Sequence, residues 1–483
     1  MALRSVGLRG GCLFTVCAVA GLSASALAQE PTRDVPPESS SAPAPDGGTS
    51  PADQAVQPNV TGKTFGGRAA TSALIKEQTK QRREAAGAVP KTGEWRQDWL
   101  KGPSALGDWA GYRQQIEDAG ISLSGFSITN IMGNVMGGTR RSTTAASFNL
   151  LALDLDFARL AGLPGLLVHA EGWGARGNNP STRGRINNLL GVAQAYTPSG
   201  FYLGQLYAEL RLFDNALMMQ AGRMATANNF ATLPVALNYV SVANNPIPIS
   251  LPINTVPFTN YPHQWAAVGT LTPIPQIQLT GGVYNGDRRS SRLKATNGLD
   301  WTFQPEDGVM GVGQIALLLN RTPGDTGLPG TYYFGGFYNT NDDERLNGRG
   351  EKGDNYGFYW MAQQMVYREG GPASSEGLTP WLAIAYQPRE SINLLPVYVA
   401  GGAVYEGLVP GRDIDTTALG VYHAKVSDSL PGTTGETLLE VNYTYWALPW
   451  LGLTPSFQFV FNPNGGGSDD DAAVFGGQIL VNF

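Results

Sequence analysis

Cysteine is almost missing from this chain: of 483 residues only Cys12 and Cys17 carry a thiol, both close to the N-terminus. Everything beyond them is without a disulfide or a thiolate metal site. Histidine is as scarce, with only His169, His263 and His423. None stands beside a nucleophile motif, which argues against a Ser-His-acid hydrolase. Beyond residue 121 the only lysines are Lys294, Lys352 and Lys425, so neither an anion-binding wall nor a nucleic-acid surface is provided for. The stretch "GGRAATSALIKE" lacks the spacing that cradles a phosphate. Charged residues make up only 15% of the chain and the formal net charge is -6. After the first thirty residues no apolar run approaches the roughly 18 that a spanning helix needs.

Glycine and aromatic residues fill the space left by these absences: 62 Gly, 19 Tyr, 18 Phe and 10 Trp. At the N-terminus Arg4 and Arg9 precede an apolar run through Leu13, Phe14, Val16, Ala18 and Ala20, which closes on Ala26-Leu27-Ala28. This predicts a secretory signal peptide over 1–28. Both cysteines would leave with it, as would Arg4 and Arg9, making the mature chain two charges more negative. Residues 29–94 are rich in Pro, Ser and Ala with almost nothing to bury, and are expected to form a disordered extension. Within it, 68–86 could form a short charged helix whose large apolar side chains are Leu74 and Ile75. A solvated tether and a peptidoglycan or partner contact are both open readings of this segment. The folded unit is expected over 95–483.

From residue 121 onward the apolar period is two. Leu439, Val441, Tyr443 and Tyr445 alternate with Glu440, Asn442 and Thr444; in the last segment Phe475, Ile479, Val481 and Phe483 oppose Gln478 and Asn482. Alternation alone fits a soluble sandwich as well. The connections decide, because short turns such as Phe213-Asp214-Asn215 take turns with longer polar loops. Sixteen such segments can be placed between 121 and 483. An even strand number with alternating short and long links predicts an all-β fold: a 16-stranded antiparallel transmembrane β-barrel with short periplasmic turns and long extracellular loops. Such a strand must have every backbone group paired, so the last one is expected to lie between the first and the fifteenth. Strand parity puts Asp154, Asp156, His169, Glu171, Trp173, Gln205, Tyr207, Glu209 and Arg211 on a wet inner face. Their alternates, including Leu151, Leu153, Leu166, Val168, Leu206 and Leu210, fall on the lipid face. The Pro-rich link over 227–262 is too long to be idle, and a loop in that position is expected to fold into the lumen.

Several stretches carry a resemblance to a known family. "GDWAGYRQQIEDAGISLSG" (107–125), "FNLLALDLDFARLAGLPGLLVHAEGWGARG" (148–177), "NNLLGVAQAY" (187–196), "LYAELRLFDNALMMQAGRMATANNFA" (206–231) and "LVPGRDIDTTALGVYHAKV" (408–426) resemble the OprB-type carbohydrate-selective porins of bacterial outer membranes. The likeness runs in order over about 95–483. Where the family commonly has Asp-Phe after the AGR strand, this chain has Asn229-Phe230, and the cysteines common in that loop are absent. The resemblance implies passive diffusion of glucose and related sugars through the outer membrane, with no cofactor, and recognition of the final strand ending in Phe483 by the barrel assembly machinery. It further implies a monomer, whereas general porins are homotrimers.

Sugar needs hydrogen-bonding partners for its hydroxyls and flat apolar surface for its C–H faces. Candidate lumen residues are therefore Asp154, His169, Glu171, Trp173, Tyr207, Glu209, Arg211 and Arg223. Each has a second reading: the charges can pair across strands, and Trp173 and Tyr207 can be interface aromatics. Arg223 belongs to the AGR motif, yet parity sets it on the face of Leu217 and Met219, so it should lie at a rim or follow a bulge. In the second outer loop Arg176, Arg183 and Arg185 could meet sugar or lipopolysaccharide phosphates. Arg412, Asp413 and Asp415 read as turn chemistry. A general or weakly cation-selective pore and a structural or export-associated barrel are the alternative functions.

Overall fold

The computed structural model describes residues 94–182, 185–195, 199–244, 246–255, 257–258, 264–286, 296–302, 307–321, 325–371 and 374–483. The expected signal peptide, nearly all of the 29–94 extension, and Arg183 lie outside them. From Glu94 the chain forms α1 (Trp95–Lys101), a short 3-10 turn, and α2 (Tyr112–Asp118) before the first strand.

Sixteen antiparallel staves follow. They are β1 (Ile121–Met136), β2 (Ser142–Asp156), β3 (Leu166–Gly177), β4 (Gly200–Leu212), β5 (Leu217–Arg223), β6 (Trp265–Ile274), β7 (Ile277–Asn285) and β8 (Val309–Leu319). The second half comprises β9 (Gly330–Asn339), β10 (Asn355–Gln364, resumed at Tyr367–Arg368 after a bulge), β11 (Gly377–Tyr386), β12 (Val397–Glu406), β13 (Thr416–Lys425), β14 (Gly435–Leu448), β15 (Leu451–Phe461) and β16 (Ala472–Asn482). Each pairs with its neighbours in sequence, and β16 pairs with β1 over Phe126↔Asn482 through Met136↔Ala473. Closure leaves none of these sixteen staves with an unpaired edge, the condition for crossing hydrocarbon.

All sixteen segments anticipated from periodicity are strands, and the outer face is the apolar one. Leu151, Phe201, Val283, Ile315, Phe334, Phe475 and Ile479 are exposed there. Helix α3 (Phe157–Ala161) caps the β2–β3 turn, with Asp156 accepting from Ala158 N. One end of the barrel carries these short links together with Glu94 and Phe483. The turn before β13 is pinned there by a bidentate pair. Arg412 Nε and Nη2 donate to Asp415 at 2.7 and 2.8 Å, while Tyr443 Oη and Trp446 N donate to the same carboxylate. Burial opposes the charge on Asp415, but these donors outweigh it and hold the carboxyl below its usual range. Turn chemistry is therefore what "PGRDIDT" performs.

The opposite end carries the long loops, and among the described residues the links after β3 and β5 run inward against the wall. Residues 185–195 lie along the inner faces of β1, β16, β15 and β14: Ala195 N donates to Asn130 Oδ1 at 2.7 Å and Gln458 Nε2 donates to Val192 O at 2.9 Å. The 224–264 link follows the inner wall. It takes bonds in turn from β8 (Ala231 N to Gln314 Oε1, 2.9 Å), β10 (Val235 N to Gln363 Oε1, 3.0 Å) and β12 (Tyr398 Oη to Ala243 O, 2.6 Å). Tyr239 anchors it further round, donating to Leu419 O and accepting from Trp381 Nε1. Gly402 and Gly420 make room for it, since a Cβ on either would stand 2.9 Å from the Tyr239 side chain.

These loops correct one expectation. Parity correctly divides outer from inner residues, but the inner face is not wet throughout. Phe126, Phe148, Leu150, Trp173 and Tyr202 all point inward and are buried together, and Ile186, Leu190, Leu233, Val240, Ile249 and Ile253 of the two loops pack against inward-facing Tyr284, Met361, Tyr398, Tyr422 and Leu438. A period of two reports that two faces differ, and loops that fill the lumen give the second face an apolar partner.

Candidate functional site

Water keeps a place near the turn end. A cavity of about 730 Å³ opens there against β2 to β5, with α2 and α3 at its mouth and the first residues of the 224–264 loop behind it. Strand parity delivers most of its wall: Asp154 and Asp156 from β2, His169 from β3, Tyr207, Glu209 and Arg211 from β4, Met218 and Gln220 from β5. Glu117 and Asp118 enter from α2, Arg159 from α3, and Asn228 and Asn229 from the loop.

A hydrogen-bonded ladder runs up this wall. His169 Nδ1 lies 2.5 Å from Asp154 Oδ1 and Nε2 lies 3.0 Å from Glu171 Oε1, so the ring bridges two carboxylates. Its face rests on Tyr207, ring centroids 4.9 Å apart. Glu171 accepts from Gln205 Nε2 at 2.8 Å and from Trp173 Nε1 at 3.3 Å. Gln205 in turn accepts from Ala225 N and Asn228 Nδ2, tying the start of the inward loop to the wall. Lower down, Glu209 accepts from Arg211 Nε at 2.6 Å and from Gln220 Nε2 at 2.7 Å. The β3–β4 register shifts by one at Glu171/Gly172, which is why Tyr202 and Gln205 both face inward.

Of the candidate residues, Asp154, His169, Tyr207, Glu209 and Arg211 come together on the cavity. Glu171 and Trp173 stand behind them, 1% and 2% exposed. Trp173 packs edge-on to Phe148 with centroids 5.6 Å apart, and a Cβ at position 204 would lie 2.3 Å from its Nε1, so Gly204 gives it space. It offers no face to a solute, a correction to its placing as a lumen surface. Arg223 is corrected likewise. It lies at the loop-end limit of β5 on the side parity gave it, and is buried beneath Gly298 and Trp301. Its Nη1 donates to Gly298 O at 2.7 Å and its guanidinium sits 5.3 Å from the Trp301 ring. Arg185 holds its own loop, donating to Asn179 O and Thr182 Oγ1, whereas Arg176 is exposed on the outer side of β3.

Sequence reasoning missed Gln220, although its parity opposite Met219 pointed inward. Glu117, Asp118, Arg159, Asn228 and Asn229 carry no periodic signal, because helices and a folded loop bring them. The resulting charge balance is uneven: carboxylates of Glu117, Asp118, Asp154, Asp156 and Glu209 face the guanidinium groups of Arg159 and Arg211. Such a site can offer hydroxyl partners and disfavours anions.

A closed 16-stranded barrel with an apolar belt, inward-folded loops and a polar channel wall defines an outer-membrane porin. Residues 141–483 match the model of the "Carbohydrate-selective porin, OprB family", and the chain belongs to that family. Two relatives agree over most of its length. QuiX of Acinetobacter baylyi is 25% identical over 428 residues, covering 80% of this chain and 94% of that one. Porin B of Pseudomonas aeruginosa is 23% identical over 421 residues, covering 78% and 91%. In fold, the high-pH structure of Pseudomonas putida OprB superposes with a TM-score of 0.72 at 22% identity, covering 80% of this chain and 99% of that one. The protein is a carbohydrate-selective channel of the bacterial outer membrane, so the turn end faces the periplasm and the loop end the exterior.

Proposed function

We propose that glucose and related monosaccharides diffuse down their gradient through this lumen and are read at the periplasmic cavity by Asp154, His169, Tyr207, Glu209 and Arg211. The observation carrying this reading is that these side chains converge on one open cavity, while much of the inner surface elsewhere is covered by the inward loops. Carboxylates and the Arg211 guanidinium supply hydrogen-bond partners for sugar hydroxyls there, and the Tyr207 ring adds apolar surface. Both nitrogens of His169 are engaged by carboxylates, which leaves neither to activate a nucleophile and supports a conduit over a catalyst. Glu171 and Trp173 act by fixing His169 from behind.

The remaining partners follow from the same reading. The last strand, ending in Phe483, serves as the recognition segment for barrel assembly. Exposed Arg176, with Arg183 of the neighbouring loop, meets lipopolysaccharide phosphates, and the chain works as a monomer with the 29–94 extension as a periplasmic tether. Single-channel recording in planar bilayers with a panel of sugars tests the central claim. Glucose should block the current and similar-sized neutral non-sugars should not. Unchanged current at saturating sugar, with equal liposome swelling for sugars and other neutral solutes, would leave the second reading, a weakly cation-selective pore, which the excess of carboxylates at the cavity favours.

A further inference from the structure

Two buried glutamates of β14 take no part in the cavity. Glu436 and Glu440 lie on the inner face four residues apart, about 13 Å along the strand, and both are fully buried. Their partners are amide N–H groups rather than a lysine or arginine. Glu436 accepts from Leu189 N at 2.7 Å and Leu190 N at 2.8 Å, two consecutive amides at the inner tip of the 178–199 loop, and from Asn464 N at 2.7 Å in the loop before β16. Glu440 accepts from Val240 N at 2.6 Å and Ser241 N at 3.1 Å, two consecutive amides of the 224–264 loop. The same device is thus used twice: a carboxylate on the wall seated in a pair of successive backbone donors.

The two loops also hold each other. Gln194 N donates to Val240 O at 3.0 Å and Val242 N donates to Gly191 O at 3.1 Å, directly beside the residues the glutamates grip. One loop continues to Asn228 and Asn229, which line the cavity. Wall, loops and channel surface therefore form one connected unit.

We propose that Glu436 and Glu440 are positioning residues that set the aperture of the channel by clamping the two inward loops to β14. They touch no permeating solute. When a carboxylate is removed, consecutive loop amides are left buried without an acceptor, and they recover one only when the loop leaves the wall and meets water. The dry packing beneath the loop is then broken and the lumen widens. Because the loops share two rungs, releasing one loosens the other, so the effects of the two sites are not additive.

The proposal rests on the lumen being the solute path, and the test separates the two. Glu436→Ala, Glu440→Ala, Glu436→Gln and Glu440→Gln are made in the full chain, with folding followed by the heat-modifiable gel shift. Single-channel conductance and the size cut-off for neutral solutes in liposome swelling are then measured. The alanine variants should show raised conductance, a wider cut-off and weaker discrimination between glucose and larger sugars. The glutamine variants, which keep one acceptor oxygen, should fall between them and the unaltered protein. Folded variants with unaltered conductance and cut-off would overturn the clamp, whatever their thermal stability. Where an alanine variant does not assemble, the glutamine variant decides by the same criterion. An unaltered protein that passes no sugar would instead overturn the sugar-channel reading.

Discussion

Replacing Glu209 by alanine tests the cavity at its most informative point. The carboxylate is 7% exposed and holds Arg211 Nε at 2.6 Å and Gln220 Nε2 at 2.7 Å. Arg211 itself is 51% exposed, so the ion pair is screened by water and contributes about 0–1 kcal/mol to the barrel. The larger cost is the buried Gln220 amide left without its acceptor, about 1–3 kcal/mol, so assembly is followed by the gel shift alongside the block. A sugar hydroxyl donating to a carboxylate gains roughly 1.5–3 kcal/mol in a dry site, and a water-filled cavity reduces this to about 1 kcal/mol. At about 1.4 kcal/mol per factor of ten, the half-blocking glucose concentration should rise about fivefold. The measurement is a titration of single-channel current with glucose for Glu209→Ala, Glu209→Gln and the lipid-facing control Leu206→Ala. Glutamine retains an acceptor and should lie between the other two. An unaltered block in Glu209→Ala, or an equal loss in Leu206→Ala, would refute the assigned wall.

The cavity carries more carboxylates than guanidinium groups, so reversal potentials in a KCl gradient should favour K⁺ over Cl⁻. Asp154→Asn with Asp156→Asn should reduce that preference, and raising the salt from 0.1 to 1 M should compress the difference as the screening length falls from about 10 to 3 Å. Asp415, its carboxyl depressed in the folded state by Arg412, Tyr443 Oη and Trp446 N, contributes stability that is present above the ordinary carboxylate range and is lost as pH falls through its lower folded value. Asp415→Asn should flatten the acid limb of the melting temperature of the detergent-solubilised barrel and cost about 2 kcal/mol near neutrality, while an unaltered acid limb would count against the assignment. The segment before β1 grips the closing seam. Trp99 packs at a tilt against Trp450 with centroids 4.8 Å apart, Ala105 N donates to Asn482 O at 2.8 Å, and Arg113 donates to Leu123 O and Phe483 O. Trp99→Ala should lower stability by about 1–2 kcal/mol, less than a fully buried Trp would, with conductance unaltered. A conductance change without destabilisation would show that this segment belongs to the channel.

Much of the site was readable because β-structure has a strict period. Asp154, His169, Tyr207, Glu209 and Arg211 were placed by counting twos from an apolar neighbour, and parity also put Arg223 on the outer side against its motif. Trp173 shows where counting stops: it faces inward, yet Gly204, Phe148 and the Glu171 ladder enclose it. Glu440 could be counted inward too, but nothing local says that its partners are Val240 N and Ser241 N, two hundred residues away in sequence.

By itself the sequence determined the barrel, because alternation, an even number of segments and alternating link lengths are local properties that a closed antiparallel sheet satisfies in only one order. It also determined which side of each strand meets lipid, since hydrocarbon tolerates little but apolar side chains. Tertiary structure decided which inner residues stay wet. The inward course of the 178–199 and 224–264 loops depends on bonds such as Tyr239 to Leu419 O and Leu189 N to Glu436, made between positions far apart in the chain. Such contacts leave no period in the sequence, because their energy arises only when both partners are already in place.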